Sequence, residues 1–296
     1  MSDQRAVVDV AGLRMRYGPD DVLRDVTFQA HHGEVLALLG PNGAGKTTTI
    51  EILEGFRTRS AGRAAVLGVD PATGDEGWRA RIGVVLQSWR DHGKWRVREL
   101  LAHLGRYYAP HASAAFPRPW DADELIAAVG LTEHAGKKIR TLSGGQRRRL
   151  DVAIGIVGRP EVLFLDEPTA GFDPEARADF HGLVKRLAVD QRTTVLLTTH
   201  DLHEADKLAD RILVLTGGRI VADGTSAELA RRAAVRDEVR WTYGGRRFAS
   251  SPADSTGFVR DLLRRLGDEV GELEVHRASL EDTYLSLVRD GEADAR

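Results

Sequence analysis

The 296-residue sequence contains no cysteine. Disulfide bonds and thiolate metal sites are therefore excluded, and a reducing compartment suits the chain. Neither charge is in excess: 42 basic residues face 44 acidic ones, a formal net charge of −2. No general pull toward nucleic acid or anionic lipid follows from that balance. Long apolar runs are missing too. The longest, such as VLALLG (35–40) and VLFLD (162–166), fall far short of the ~20 residues that span a bilayer. The start, MSDQRAVVDV, has no basic stretch leading into an apolar core, so no secretory leader is expected. What is left, 42% hydrophobic and 29% charged residues, is globular composition. The length suits one large domain with an appendage, or two modest ones.

Short apolar runs alternate with helical patterns, which predicts an α/β domain around a buried sheet. GEVLALLG (33–40), RIGVVLQ (81–87), EVLFLD (161–166), TTVLLTTH (193–200) and DRILVLTGG (210–218) read as its strands. AVVDVAGLRMRYG alternates instead and predicts a separate antiparallel layer. VRELLAHLGRYYA (97–109) and DADELIAAVGL (121–131) have helical spacing and read as an insertion in the α/β core. After about Leu229 the pattern restarts with a hairpin (237–250), an amphipathic helix (258–267), a strand (271–277) and a last helix (279–288). The expected division is therefore a first domain over 1–229, with a helical subdomain at about 88–158, and a small α+β extension over 230–296.

GPNGAGKTT (40–48) follows a strand and opens a helix, and it fits the phosphate-binding P-loop pattern. Gly40, Pro41, Asn42, Gly43, Ala44 and Gly45 would turn backbone N–H groups toward phosphates. Lys46 would bring positive charge to the β- and γ-phosphates, and Thr47, followed by Thr48, would offer a hydroxyl to Mg²⁺. Downstream, the run VLFLDEPTAGFD ends a strand in two acids. Asp166 is placed to hold the metal, and Glu167 to orient or deprotonate an attacking water. A P-loop alone leaves kinase, GTPase, helicase and transporter readings open.

A second glycine-rich turn opens a helix at TLSGGQRRRL (141–150). LSGGQ resembles the signature of ATP-binding cassette (ABC) ATPases, the motor subunits of ABC transporters. The resemblance spans roughly residues 6–230 and implies a P-loop ATPase fold with a RecA-like core sheet, an antiparallel β layer and a helical insertion. It also implies roles. Tyr17 would stack on adenine. Gln87, at a strand end, would contact Mg²⁺ or the attacking water. His200 would contact the γ-phosphate, and Asp173 in AGFD would communicate across a dimer, although alanine and phenylalanine stand there where serine and leucine are commoner. Two cassettes would associate head to tail, as a homodimer or a heterodimer. Ser143, Gly144, Gly145 and Gln146 of one would then close over the nucleotide of the other. ATP and Mg²⁺ are the implied cofactors, separate transmembrane permease subunits the implied partners, and the cytoplasmic face of the membrane the implied location. GFDPEAR (171–177) and the tail ASLEDTYLSLV (278–288), with Ala278 where proline is commoner, resemble exporters of the daunorubicin-resistance type. Their cargo would be drugs, lipids or polysaccharides.

Other readings compete for some of these residues. HDLHEAD (200–206) spaces two histidines for zinc, without a further ligand cluster in the sequence. The arginines 147–149 fan out on a helix and predict a solvated face rather than a nucleic-acid groove, with room for one of them near phosphate. Ser143 and Gln146 also fit a helix capping box, which leaves other N–H groups free for a ligand. Trp89 and Trp95, beside the insertion, suit a docking surface for a membrane subunit or ordinary packing. The alternative function is a soluble, non-transport ABC ATPase acting on nucleic acid or ribosomes; the near-neutral charge speaks against it, and no nucleic-acid partner is expected.

Overall fold

The computed structural model describes residues 6–85, 92–114, 117–169, 172–232, 237–276, 281 and 284. The chain divides into two compact units, residues 1–223 and 224–296.

The first unit contains β1 (Ala6–Tyr17), β2 (Asp20–His31), β3 (Val35–Leu39), β4 (Ala61–Val66), β5 (Ile82–Val85), β6 (Val162–Asp166), β7 (Thr194–Thr199), β8 (Arg211–Thr216) and β9 (Arg219–Gly224). They form two sheets, β2-β1-β4 and β5-β6-β7-β3-β8-β9. The first is antiparallel, and Val8, Val10, Leu13 and Met15 of β1 are buried in one apolar cluster, with a register shift between Val10 and Leu13 interrupting the alternation. In the second, β5, β6, β7, β3 and β8 run parallel. Every residue of β3, β6 and β7 is buried, because layers cover both faces of a parallel sheet.

The helix Lys46–Leu53 contributes to the core shared by the two sheets. Ile50, Ile52 and Leu53 join one apolar cluster with Val8, Leu13 and Phe28 from the antiparallel sheet and Leu36, Leu38, Phe164 and Leu196 from the parallel one. Burying a side chain of this kind contributes about 1.5–3 kcal/mol. Register then fixes geometry. Leu39 lies opposite Thr199 and Asp166 opposite Thr198, so the chain leaves β3, β6 and β7 at one edge of the sheet. Ligands of parallel α/β sheets bind at that carboxyl edge.

The helices Val97–Tyr108, Ala122–Ala128 and Gly144–Ile156 make up the insertion. Val97, Leu100, Leu101 and Gly105 recur at three- and four-residue spacing and face inward. Arg118 pairs with Glu161 at 2.8 Å, the two side chains being 4% and 8% exposed. Arg81 holds the same carboxylate at 2.8 Å. Burial opposes the charge on Glu161, but the hydrogen bonds from Arg81 and Arg118 outweigh it and hold that carboxyl below its ordinary pKa.

The second unit carries the helices Ser226–Arg232 and Ser255–Leu266 and a sheet of β10 (Glu238–Tyr243), β11 (Arg246–Ser250) and β12 (Gly271–His276), ordered β11-β10-β12. Gly244 and Gly245, at φ 56 and 74, supply the left-handed pair that a two-residue hairpin needs. Trp241 stacks on Phe248 with ring centres 5.6 Å apart, and Phe258 of the helix lies 5.5 Å from Trp241. The expected last helix, 279–288, falls almost wholly outside the described residues.

Candidate nucleotide site

The P-loop joins β3 to the helix Lys46–Leu53. Gly45 sits at φ 104, and a Cβ there would lie 2.5 Å from the Leu23 side chain, so the turn admits only glycine. Pro41 and Asn42 are exposed, Ala44 is buried and Thr48 is half-buried. Lys46 is 6% exposed and donates from Nζ to the carbonyls of Gly40 at 2.8 Å and Pro41 at 3.2 Å. Burial draws its pKa below the ordinary lysine value, against the pull of Glu167 and Asp166.

Asp166 ends β6 facing that loop. The Thr47 hydroxyl lies 3.3 and 3.4 Å from its two carboxylate oxygens, and the Thr198 hydroxyl donates to Oδ1. These donors are all oxygens. The next residue, Glu167, turns sharply at φ 44, and its N–H donates to the carbonyl and hydroxyl of Thr198 at 3.2 and 3.1 Å. The turn places the Glu167 carboxylate 3.0 Å from Nδ1 of His200, whose side chain is 61% exposed. Asp201 caps the following helix Leu202–Leu208 and accepts from Arg177 at 3.2 Å.

Ser143 caps the helix Gly144–Ile156. Its hydroxyl accepts from Gln146 N–H at 3.3 Å while the Gln146 side chain accepts from Ser143 N–H at 3.0 Å, a complete capping box. A Cβ on Gly144 or Gly145 would meet nothing within 4 Å. Space within this chain therefore does not account for glycine at either position. Among the described residues no hydrogen bond joins 143–146 to the loop 40–48.

The arginine run departs from the solvated face expected of it. Arg147 pairs with Asp151 at 3.3 Å and Arg149 with Asp179 at 3.3 Å. Arg148, between them, is buried and donates to carbonyls around Asp166 and Glu167. The helical turn of about 100° per residue directs the middle arginine inward. A signal was present: Val152 and Gly155, four and seven residues on, are buried too.

Tyr17 ends β1 and is 37% exposed. The Arg57 guanidinium lies 5.1 Å from its ring centre, a cation–π contact that sequence reasoning missed, and Glu51 anchors Arg57 at 2.7 Å. Asp173 caps the helix Pro174–Asp190 by accepting from Ala176 N–H at 2.8 Å. Gln87, Trp89, Ala170 and Gly171 lie outside the described residues.

The family model described as ABC transporter matches residues 23–170. The daunorubicin resistance ATP-binding protein DrrA3 of Streptomyces coeruleorubidus is 37% identical across 98% of each chain. The Nod factor export ATP-binding protein I of Cupriavidus pinatubonensis is 35% identical, over 95% of this chain and 90% of its own length. A solved structure described as the ATP binding subunit of an ABC transporter superposes with a TM-score of 0.68 at 26% identity, covering 77% of this chain and 93% of that one. With a family model over half its length and relatives similar almost from end to end, the chain belongs to the ABC transporter family, as one of its ATP-binding, ATP-hydrolysing cassettes.

Proposed function

We propose that this chain is the motor subunit of an exporter, working as a head-to-tail dimer docked on separate transmembrane subunits at the cytoplasmic face of the membrane. Residues 1–229 are the ATPase domain in this reading, and 230–296 an extension that aids assembly. The observation that carries it is the open space around Gly144 and Gly145. Glycine where its own chain leaves room suits close approach from outside, and a capped helix N-terminus attracts an added phosphate. The turn 143–146 then completes the nucleotide pocket of a second cassette.

Within each pocket Lys46 and the loop N–H groups hold the β- and γ-phosphates, and Tyr17 supplies a face for adenine. The hydroxyl of Thr47 and the carboxylate of Asp166 fit Mg²⁺, a hard cation that prefers oxygen ligands, with Gln87 as a further ligand. When bound, the ion neutralises charge on the phosphates. Glu167 accepts the proton of the attacking water as general base, and His200, 3.0 Å from it, orients that carboxylate and contacts the γ-phosphate.

Export is supported by relatives named for daunorubicin resistance and Nod factor export, both similar over the extension as well as the cassette. Among the described residues no helix is long and apolar enough to cross a membrane. Docking is supported by an aromatic ladder beside the helix Val97–Tyr108. Trp95 and His103 have ring centres 4.9 Å apart, His103 and Tyr107 5.6 Å, and Tyr107 is 65% exposed. Aromatic residues of this kind anchor protein interfaces.

Two substitutions test the scheme. Gly145→Val leaves equilibrium ATP binding by the isolated chain within about twofold but lowers kcat of the partner-bound preparation roughly 100-fold; full turnover sinks the shared pocket. Glu167→Gln abolishes hydrolysis, retains ATP binding and accumulates closed dimers on size-exclusion chromatography; normal turnover removes Glu167 from the role of base.

A further inference from the structure

The helix that begins at the signature turn also grips the hydrolytic segment of its own chain. Arg148 is 7% exposed. Its Nε donates to the Pro168 carbonyl at 2.9 Å, and one terminal nitrogen donates to the carbonyls of Asp166 at 3.3 Å and Glu167 at 3.2 Å. Three successive carbonyls thus converge on one guanidinium where the backbone turns through φ 44 at Glu167. Buried carbonyls need partners, and a planar guanidinium fork serves several of them from separate nitrogens held in one fixed geometry, where a lysine ammonium offers a single nitrogen. Burial works against the charge of Arg148, while Asp151, Asp166 and Glu204 support it.

Ser143, five residues before Arg148, caps the same helix, Gly144–Ile156. The helix runs unbroken through 13 residues, so its backbone hydrogen bonds link the capped turn to Arg148. We propose that Arg148 is a positioning residue that ties the signature turn to the general base: when Ser143 and Gly145 engage the nucleotide of the partner cassette, the helix carries the carbonyls of 166–168 with it and sets the Glu167 carboxylate against water. Each cassette then reads the partner's nucleotide before completing its own catalytic geometry, which links the two pockets. The inference rests on the reading of Glu167 as base and of 143–146 as the partner-facing turn.

The test uses the full chain with its membrane partner. Arg148→Met keeps the aliphatic stem and removes the donors. Affinity for a fluorescent ATP analogue stays within threefold and KM changes little, while kcat falls roughly 30- to 100-fold, as displacement of a catalytic group does. Arg148→Lys, which can reach one of the carbonyls, recovers part of that loss. In the pair Ser143→Ala and Arg148→Met, the double variant loses no more than the worse single one. Wild-type kcat in Arg148→Met overturns the proposal, as do fully multiplicative losses in the double variant. A parallel loss of nucleotide affinity and kcat overturns it too, since that marks a residue that only holds the fold. Should Arg148→Met fail to fold, Arg148→Gln and Arg148→Lys carry the same measurements. Glu167→Gln is assayed beside them: if it turns over normally the reading of the base fails, and if it is inactive while Arg148→Met is normal only the positioning role fails.

Discussion

Burial drives both ends of the helix Lys46–Leu53 toward neutrality, with opposite consequences. Lys46 is drawn below its ordinary pKa by desolvation, opposed by Glu167 and Asp166. Glu54, just beyond the last turn and 5% exposed, is pushed up to about 8 by desolvation and by the nearby charges of Asp166 and Glu51. An acid raised in the folded state favours folding fully below its ordinary value of 4.5 and loses that contribution as pH rises through about 8. At about 1.4 kcal/mol per pKa unit, the penalty at high pH has an upper bound of about 5 kcal/mol. Glu54→Gln keeps the shape without the proton. Its denaturation midpoint therefore matches the wild type at about pH 3.5 and exceeds it at about pH 8.5; equal midpoints at both values would contradict the assignment.

Among the elements, the insertion is fastened to the sheet by charge as well as by packing. Arg118 reaches Glu161, immediately before β6, inside a nearly dry pocket. Removing one partner of a buried pair costs about 3–5 kcal/mol, and here the second arginine, Arg81, retains part of it. Arg118→Met is expected to lower unfolding free energy by about 3 kcal/mol at pH 7. Because Glu161 titrates below its ordinary value, the pair stabilises above pH 4.5 and its contribution disappears as pH falls through the depressed pKa. The penalty of the substitution consequently shrinks in acid, and urea melts at pH 7 and pH 3.5 measure it. Legibility differs among the elements for a physical reason. β3, β6 and β7 are readable because strands covered on both faces are apolar throughout. β2, DDVLRDVTFQAH, is not legible in the sequence: its charged outer face breaks the run, and only pairing with β1 defines it. The helix Pro174–Asp190 escaped for a similar reason, since its buried positions are flanked by charge on every turn.

For the whole molecule, the question is assembly. The second unit folds its own small layer around Trp241, Phe248 and Phe258, and the proposed role of the extension in assembly rests on the resemblance of 278–288 to exporter tails. Deleting residues 278–296 should leave nucleotide affinity of the monomer unchanged and weaken assembly with the membrane subunits at least about tenfold, equivalent to about 1.4 kcal/mol. Co-purification and analytical ultracentrifugation of the truncated chain measure this, and undiminished assembly refutes it.

The P-loop, the acids 166–167, His200 and the LSGGQ turn are local: each needs a few residue types at fixed spacing after a strand or before a helix. The linear chain therefore supplied the candidate site residues. It could not specify who touches whom. That Thr198 holds both Asp166 and the Glu167 N–H, and that Arg148 turns inward to three carbonyls, depends on parallel register and on a helix docked at a sheet edge. Those contacts join residues 18 to 32 positions apart, and only packing of the layers brings them within hydrogen-bonding distance.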